Sequence, residues 1–175
     1  NFTFDQRTCC AYDKNEFKEI LLKGNELIKN KTRKSNFTFD SKRNRSFWLR
    51  QSTWHTNDEY DFFEIDLKKF EIKNITREIK KLNLEYFDFG NINSVYDSQN
   101  DCVLFATTIK INGNVANKLL MYDCANNRWL WISFKQESLI FNLGFLLDLV
   151  FDAKRNLIWA IDGDKNVFVL KIDLK

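Results

Sequence analysis

Proline is absent from the 175 residues, and glycine occurs only five times. Average usage would supply about 9 prolines, so collagen-like, proline-rich and flexible-linker architectures are excluded. Histidine is also scarce, with His55 alone, and the four cysteines at 9, 10, 102 and 124 include no C-x-x-C pair. That inventory does not make a structural zinc site of ordinary ligand spacing. The cysteines could instead form two disulfides in any of three pairings. Neighbouring Cys9 and Cys10 would point to opposite faces of a strand. The most apolar stretch, Leu139 to Phe151, is broken by Asn142, Gly144 and Asp148 and is too short to cross a bilayer. No membrane span is expected. The net charge of +3 is too small to require nucleic acid or an anionic membrane as partner.

Catalytic signatures are equally thin. One histidine excludes a multi-histidine copper centre within this chain. A Ser–His–Asp set would have to run through His55, and no Gly-x-Ser-x-Gly elbow or phosphate-cradling glycine loop is present. No catalytic residue, cofactor or metal ligand is therefore assigned.

What remains is globular: 44% apolar and 29% charged residues, enough for one domain or a piece of a larger one. Twenty asparagines and nineteen lysines read as a genomic bias. Five N-x-S/T sequons occur, at Asn1, Asn30, Asn36, Asn44 and Asn74, where chance would give about two. They suit a secreted glycoprotein or the asparagine bias alone. The sequence opens on Asn1 with no visible signal peptide, which implies an upstream segment removed or not included. An intracellular location is favoured over a secreted one.

The informative signal is internal repetition. An aromatic–Asp pair followed by a turn recurs in Phe39-Asp40-Ser41-Lys42-Arg43-Asn44, Tyr96-Asp97-Ser98-Gln99-Asn100-Asp101 and Phe151-Asp152-Ala153-Lys154-Arg155-Asn156. Trp48, Phe105 and Trp159 follow these aspartates at offsets of 8, 8 and 7. A second unit alternates with the first in Ala11-Tyr12-Asp13, Glu64-Ile65-Asp66, Met121-Tyr122-Asp123 and Lys171-Ile172-Asp173, with Phe17, Phe70 and Trp129 after the first three. The marker aspartates 13, 40, 66, 97, 123, 152 and 173 are 21–31 residues apart. Two such steps match the period of a four-stranded propeller blade.

Asp followed by Asn or Asp is turn chemistry, and the intervening segments are rich in Phe, Ile, Val, Leu and Trp, as strands are. Strands are expected at about 8–13, 16–22, 36–40, 46–51, 61–66, 70–75, 92–96, 102–109, 118–123 and 128–134. A helical face is legible only in Ile75, Ile79, Leu82 and Tyr86, read as a short helix or irregular connection. The six recurring aromatics are expected to share one packed position per blade.

These units resemble kelch repeats, the blades of kelch and galactose-oxidase-like propellers. Met121-Tyr122-Asp123-Cys124-Ala125-Asn126-Asn127-Arg128-Trp129 is similar to the end of a kelch unit, and Phe63 to Phe70 follows it with Phe70 in the Trp place. The Gly-Gly pair usual in kelch repeats is missing; Leu49-Arg50, Thr107-Thr108 and Ile161-Asp162 stand there. The resemblance implies an all-β partial β-propeller of four-stranded antiparallel blades. Two full blades (about 36–75 and 92–134) would lie between two incomplete ones (about 1–22 and 149–175). That makes about 13 strands against the roughly 16 of a closed four-blade ring, so missing blades or another chain would complete it.

The function expected is a non-catalytic protein-interaction or assembly scaffold. The alternatives are a fragment of a propeller enzyme with its active site on blades outside the chain, and a secreted propeller binding a ligand or receptor. Arg50, Trp54, His55 and Tyr60 are the candidate partner-binding residues. They cluster around Gln51–Asp61, between second and third strands, and Trp, Tyr and Arg are common interface anchors. The resemblance puts that loop on the partner-gripping face. Segments 111–117 and 29–35 are further candidate surfaces. Seven basic residues between Lys29 and Arg45 read as a solvated loop rather than a nucleic-acid patch. Asp162-Gly163-Asp164-Lys165-Asn166 opens like a calcium loop but lacks the distal ligands, and is expected to be a hairpin turn.

Overall fold

The computed structural model describes residues 8–13, 16–28, 34–51, 60–76, 86–88, 94–111, 114–132, 146–162 and 164–172. These form an all-β structure of antiparallel sheets, none closed on itself. The backbone falls into two compact units, Asn1–Thr76 and Arg77–Lys175.

The first unit holds a two-stranded sheet, β1 (Thr8–Asp13) and β2 (Glu16–Leu21), and a four-stranded one. The latter runs β3 (Lys34–Asp40), β4 (Arg45–Gln51), β5 (Tyr60–Asp66) and β6 (Glu71–Asn74), each strand pairing with the next. Register sets its faces. Phe37 opposes Trp48, and Trp48 opposes Phe63, so the three rings share one side. Phe37 and Trp48 stack at 5.1 Å, and Trp48 and Phe63 are 5.4 Å apart. Trp48, Phe63, Ile65, Ile72 and Leu22 form one core cluster. The other face carries buried Phe47, Leu49 and Phe62.

A short 3-10 turn, Asn25–Leu27, follows Lys23, which lies parallel to Glu71. The Lys23 N–H donates to the Phe70 carbonyl and the Ile72 N–H to the Lys23 carbonyl, both at 2.8 Å. Gly24 sits at φ 83, and a Cβ there would lie 2.7 Å from the Ile72 carbonyl oxygen. Both the dihedral and the close approach require glycine. Gly24→Ala is expected to cost about 1–3 kcal/mol, read as a lower urea midpoint at an unchanged m-value.

The second unit holds β7 (Tyr86–Asp88), β8 (Ser94–Asp97), β9 (Cys102–Ile111), β10 (Asn114–Asp123) and β11 (Arg128–Trp131) in one sheet. β8 pairs with the first residues of β9, and β7 with Thr108–Lys110 further along. A three-stranded sheet follows, of β12 (Leu146–Asp152), β13 (Leu157–Asp162) and β14 (Val167–Leu170). The two sheets pack through Cys102, Leu104, Ala106, Leu119 and Met121 on one side and Leu149, Ile158, Ala160 and Leu170 on the other. Each set alternates along its strands, as the period of two demands.

The expected strands are present, most within two residues. Three details differ. β9 and β10 reach Ile111 and Asn114, so most of 111–117 is strand rather than loop. β7 was not foreseen. Tyr86 of the helical face lies in β7, while 77–85 of that reading lies outside the described residues. Cys102 and Cys124 are free thiols, so no disulfide joins them.

Candidate functional site

The two alternating units of the sequence are one structural device. Five hairpins join their strands through four residues after an aspartate: Asp40 pairs with Arg45, Asp66 with Glu71, Asp97 with Cys102, Asp123 with Arg128 and Asp152 with Leu157. The fourth residue after each aspartate has positive φ: Asn44 53°, Phe70 53°, Asp101 56°, Asn127 50° and Asn156 54°. Asn and Asp tolerate that region best, which explains their recurrence.

The aspartate caps its own turn. Asp97 Oδ1 accepts the N–H groups of Gln99 and Asn100 at 2.9 and 3.0 Å. Asp123 Oδ1 accepts those of Ala125 and Asn126, both at 3.1 Å. Asp66 does the same for Lys68 and Lys69 at 2.9 and 3.0 Å. These carboxylates are thus engaged in forming turns. Phe70 occupies the left-handed turn position rather than a strand, so it does not share the blade position expected for it.

Asp40 is buried, as Asp97 is, and is the one that engages two arginines. Its Oδ1 accepts the N–H groups of Lys42 and Arg43 at 3.0 and 3.2 Å. Its Oδ2 accepts Arg43 Nη1 at 3.1 Å and Arg45 Nε at 2.9 Å. Arg45 Nη1 donates in turn to Glu64 Oε2 at 2.6 Å, and its guanidinium lies 4.7 Å from the Phe47 ring centre.

Three half-buried turn aspartates have carboxyls held below their usual range. At Asp66 the Lys69 N–H is the main cause. Burial pushes Asp123 up, but bonds from the Asn126 and Arg128 side chains and from backbone N–H groups outweigh it. At Asp152 the Arg155 side chain dominates. A depressed folded-state pKa adds stability that is complete above the unfolded value, about 3.9, and is lost as pH falls through the folded value. The expected result is a urea midpoint that is level near neutrality and falls below about pH 4. Replacing all three by Asn should flatten that fall.

Of the predicted partner-binding residues, Arg50 and Tyr60 fall within the described strands. Arg50 lies in β4 and is buried; its Nε donates to Asp61 Oδ2 at 3.0 Å. Its guanidinium is 5.6 and 5.7 Å from the Trp48 and Phe63 ring centres. Tyr60 is the first residue of β5, paired with Gln51, not a loop residue. Trp54 and His55 lie outside the described residues. In the β3–β6 sheet the two aspartate turns share one end, and the β4–β5 connection lies at the other, because an antiparallel meander alternates its ends. Sequence reading missed the part-buried Arg50–Asp61 pair; two opposite charges flanking a loop were its available signal.

Of the further segments, 29–33 lies outside the described residues. Asp162 ends β13 and Val167 begins β14, with Lys165 at φ 66. The two strands pair antiparallel, as the expected hairpin requires. The Cys102 thiol is pushed well above its usual value, chiefly by burial, with Asp97 adding to it. It stays protonated and is a packing residue.

Fold and site together define an all-β chain of antiparallel sheets built on one Asp-capped hairpin. No family model matches the sequence, and no curated protein matches it.

Proposed function

We propose that this chain is a kelch-like β-propeller piece serving as a non-catalytic scaffold for protein interaction or assembly. The observation that carries this reading is the recurrence of one hairpin in one register. Three sheets place buried or apolar residues two before, seven after and nine after their marker aspartate: Thr38, Phe47 and Leu49; Val95, Leu104 and Ala106; Val150, Trp159 and Ile161. Sheets that repeat face and turn together are units made to stack. Face-to-face packing within the second unit supports this. The marker carboxylates hold turns, which is a scaffold's use of acidic residues.

The partner surface in this reading is the β4–β5 connection, with Trp54, His55 and Tyr60 as contacts. Arg50 acts through Asp61 as a positioning residue at the base of that connection. The test is in-cell crosslinking with quantitative mass spectrometry. A partner joined to the wild-type protein should fall at least about tenfold in yield for W54A/H55A/Y60A, equivalent to about 1.4 kcal/mol, with circular dichroism and thermal midpoint unchanged. Undiminished partner yield from the triple variant would sink the assignment of that surface.

A further inference from the structure

The three-stranded sheet has two unlike faces. Leu149, Ile158, Ala160 and Leu170 are buried against the sheet of β9 and β10. The opposite face carries Val150, Trp159, Ile161, Val167 and Val169, each between 36% and 57% exposed. Pairing places them side by side: Val150 opposes Trp159, Trp159 opposes Val169, and Ile161 opposes Val167. They form one contiguous apolar surface.

Register identifies that surface. Counted from the marker aspartate, Val150, Trp159 and Ile161 stand where Val95, Leu104 and Ala106 stand in the preceding sheet. Those three are packed within the second unit, facing the next sheet's Leu149, Ile158 and Ala160. The same positions in the β3–β6 sheet, Thr38, Phe47 and Leu49, are also buried. Two sheets therefore have this face covered, and the third has it open.

Area indicates what covers it. The five side chains expose roughly 400 Å² of apolar surface, half of the roughly 800 Å² per partner that a stable contact between separate chains buries. A tethered partner needs less, because linkage raises its effective concentration to the millimolar range or above. We propose that this face is the seat of a further antiparallel sheet of the same polypeptide. That sheet would meet it with small aliphatic side chains, as Leu149, Ile158 and Ala160 meet Leu104. The inference rests on the repeated-sheet reading above and adds the mating face, its chemistry and the source of its occupant.

The test is site-specific photocrosslinking in the intact protein in its own cells. Val169→Bpa (p-benzoylphenylalanine) places the probe on the open face, and Phe151→Bpa places one on the covered face as reference. The expected Val169 product runs at monomer mass and maps to a strand other than β1–β14; a product with β1–β6 overturns the proposal. A product at twice the monomer mass, a product with another polypeptide, or no crosslink overturns the proposal. The Phe151 probe should crosslink to β8–β10 in every case. If it does not, the stacked-sheet reading itself has failed, and the two failures are told apart.

Discussion

Replacing Asp40 by alanine is expected to destabilise the protein by about 3–5 kcal/mol, the range for breaking a buried ion pair. The carboxylate is fully buried and accepts two N–H groups and two guanidinium donors. Its loss removes a carboxylate 2.9 Å from Arg45, which is also buried and keeps Glu64 as a partner. Asp152 holds the same turn position with an exposed partner, Arg155 Nη1, at 2.7 Å. Asp152→Ala should therefore cost clearly less, because only a turn cap open to solvent is lost. Asp40→Asn keeps the shape and one acceptor, so it should fall between the two. Urea unfolding of the three variants is the measurement. Equal losses at Asp40 and Asp152 would show that the turn alone matters and that burial of the charge contributes nothing.

Trp48→Ala should cost a similar amount, about 3–5 kcal/mol. The indole is 2% exposed and lies between Phe37 and Phe63, with the Arg50 guanidinium over it. Truncation opens a cavity against rings that rigid strands hold in place. Trp159→Ala should cost under about 1 kcal/mol in the chain as described, because that side chain is 37% exposed. The pair was expected to be equivalent. It is not, because Trp159 follows its aspartate by seven residues and Trp48 by eight. Side chains alternate along a strand, so a one-residue difference moves a ring to the other face. Register places Trp159 with Phe47 and Leu104, and places Ala160 with Trp48 and Phe105. Thermal midpoints of the two variants compared with wild type decide it; equal losses would mean that Trp159 is covered.

Much of the architecture was legible because its causes are local. An aspartate that caps its own turn, followed by an Asn or Asp that accepts positive φ, marks a hairpin wherever it occurs. Short runs of Phe, Ile, Val and Leu between such marks can only be strands at these lengths. The candidate site was less legible. Arg50 reads as an interface anchor by residue type, yet its side chain is buried against Trp48, Phe63 and Asp61, which only the β4–β5 register brings together. Tyr60 reads as a loop residue, yet β5 begins with it. The aspartates read as equal marks, yet one is buried with two arginines and another is half-exposed.

The sequence by itself determined where the chain turns, which segments extend and which side chains alternate, since capping, backbone dihedrals and strand periodicity act over a few residues. Only the tertiary structure decided which apolar face is covered and which open, and which aspartate is buried with its arginines. Those outcomes depend on cross-strand register and on packing between sheets, where residues far apart in the chain must meet.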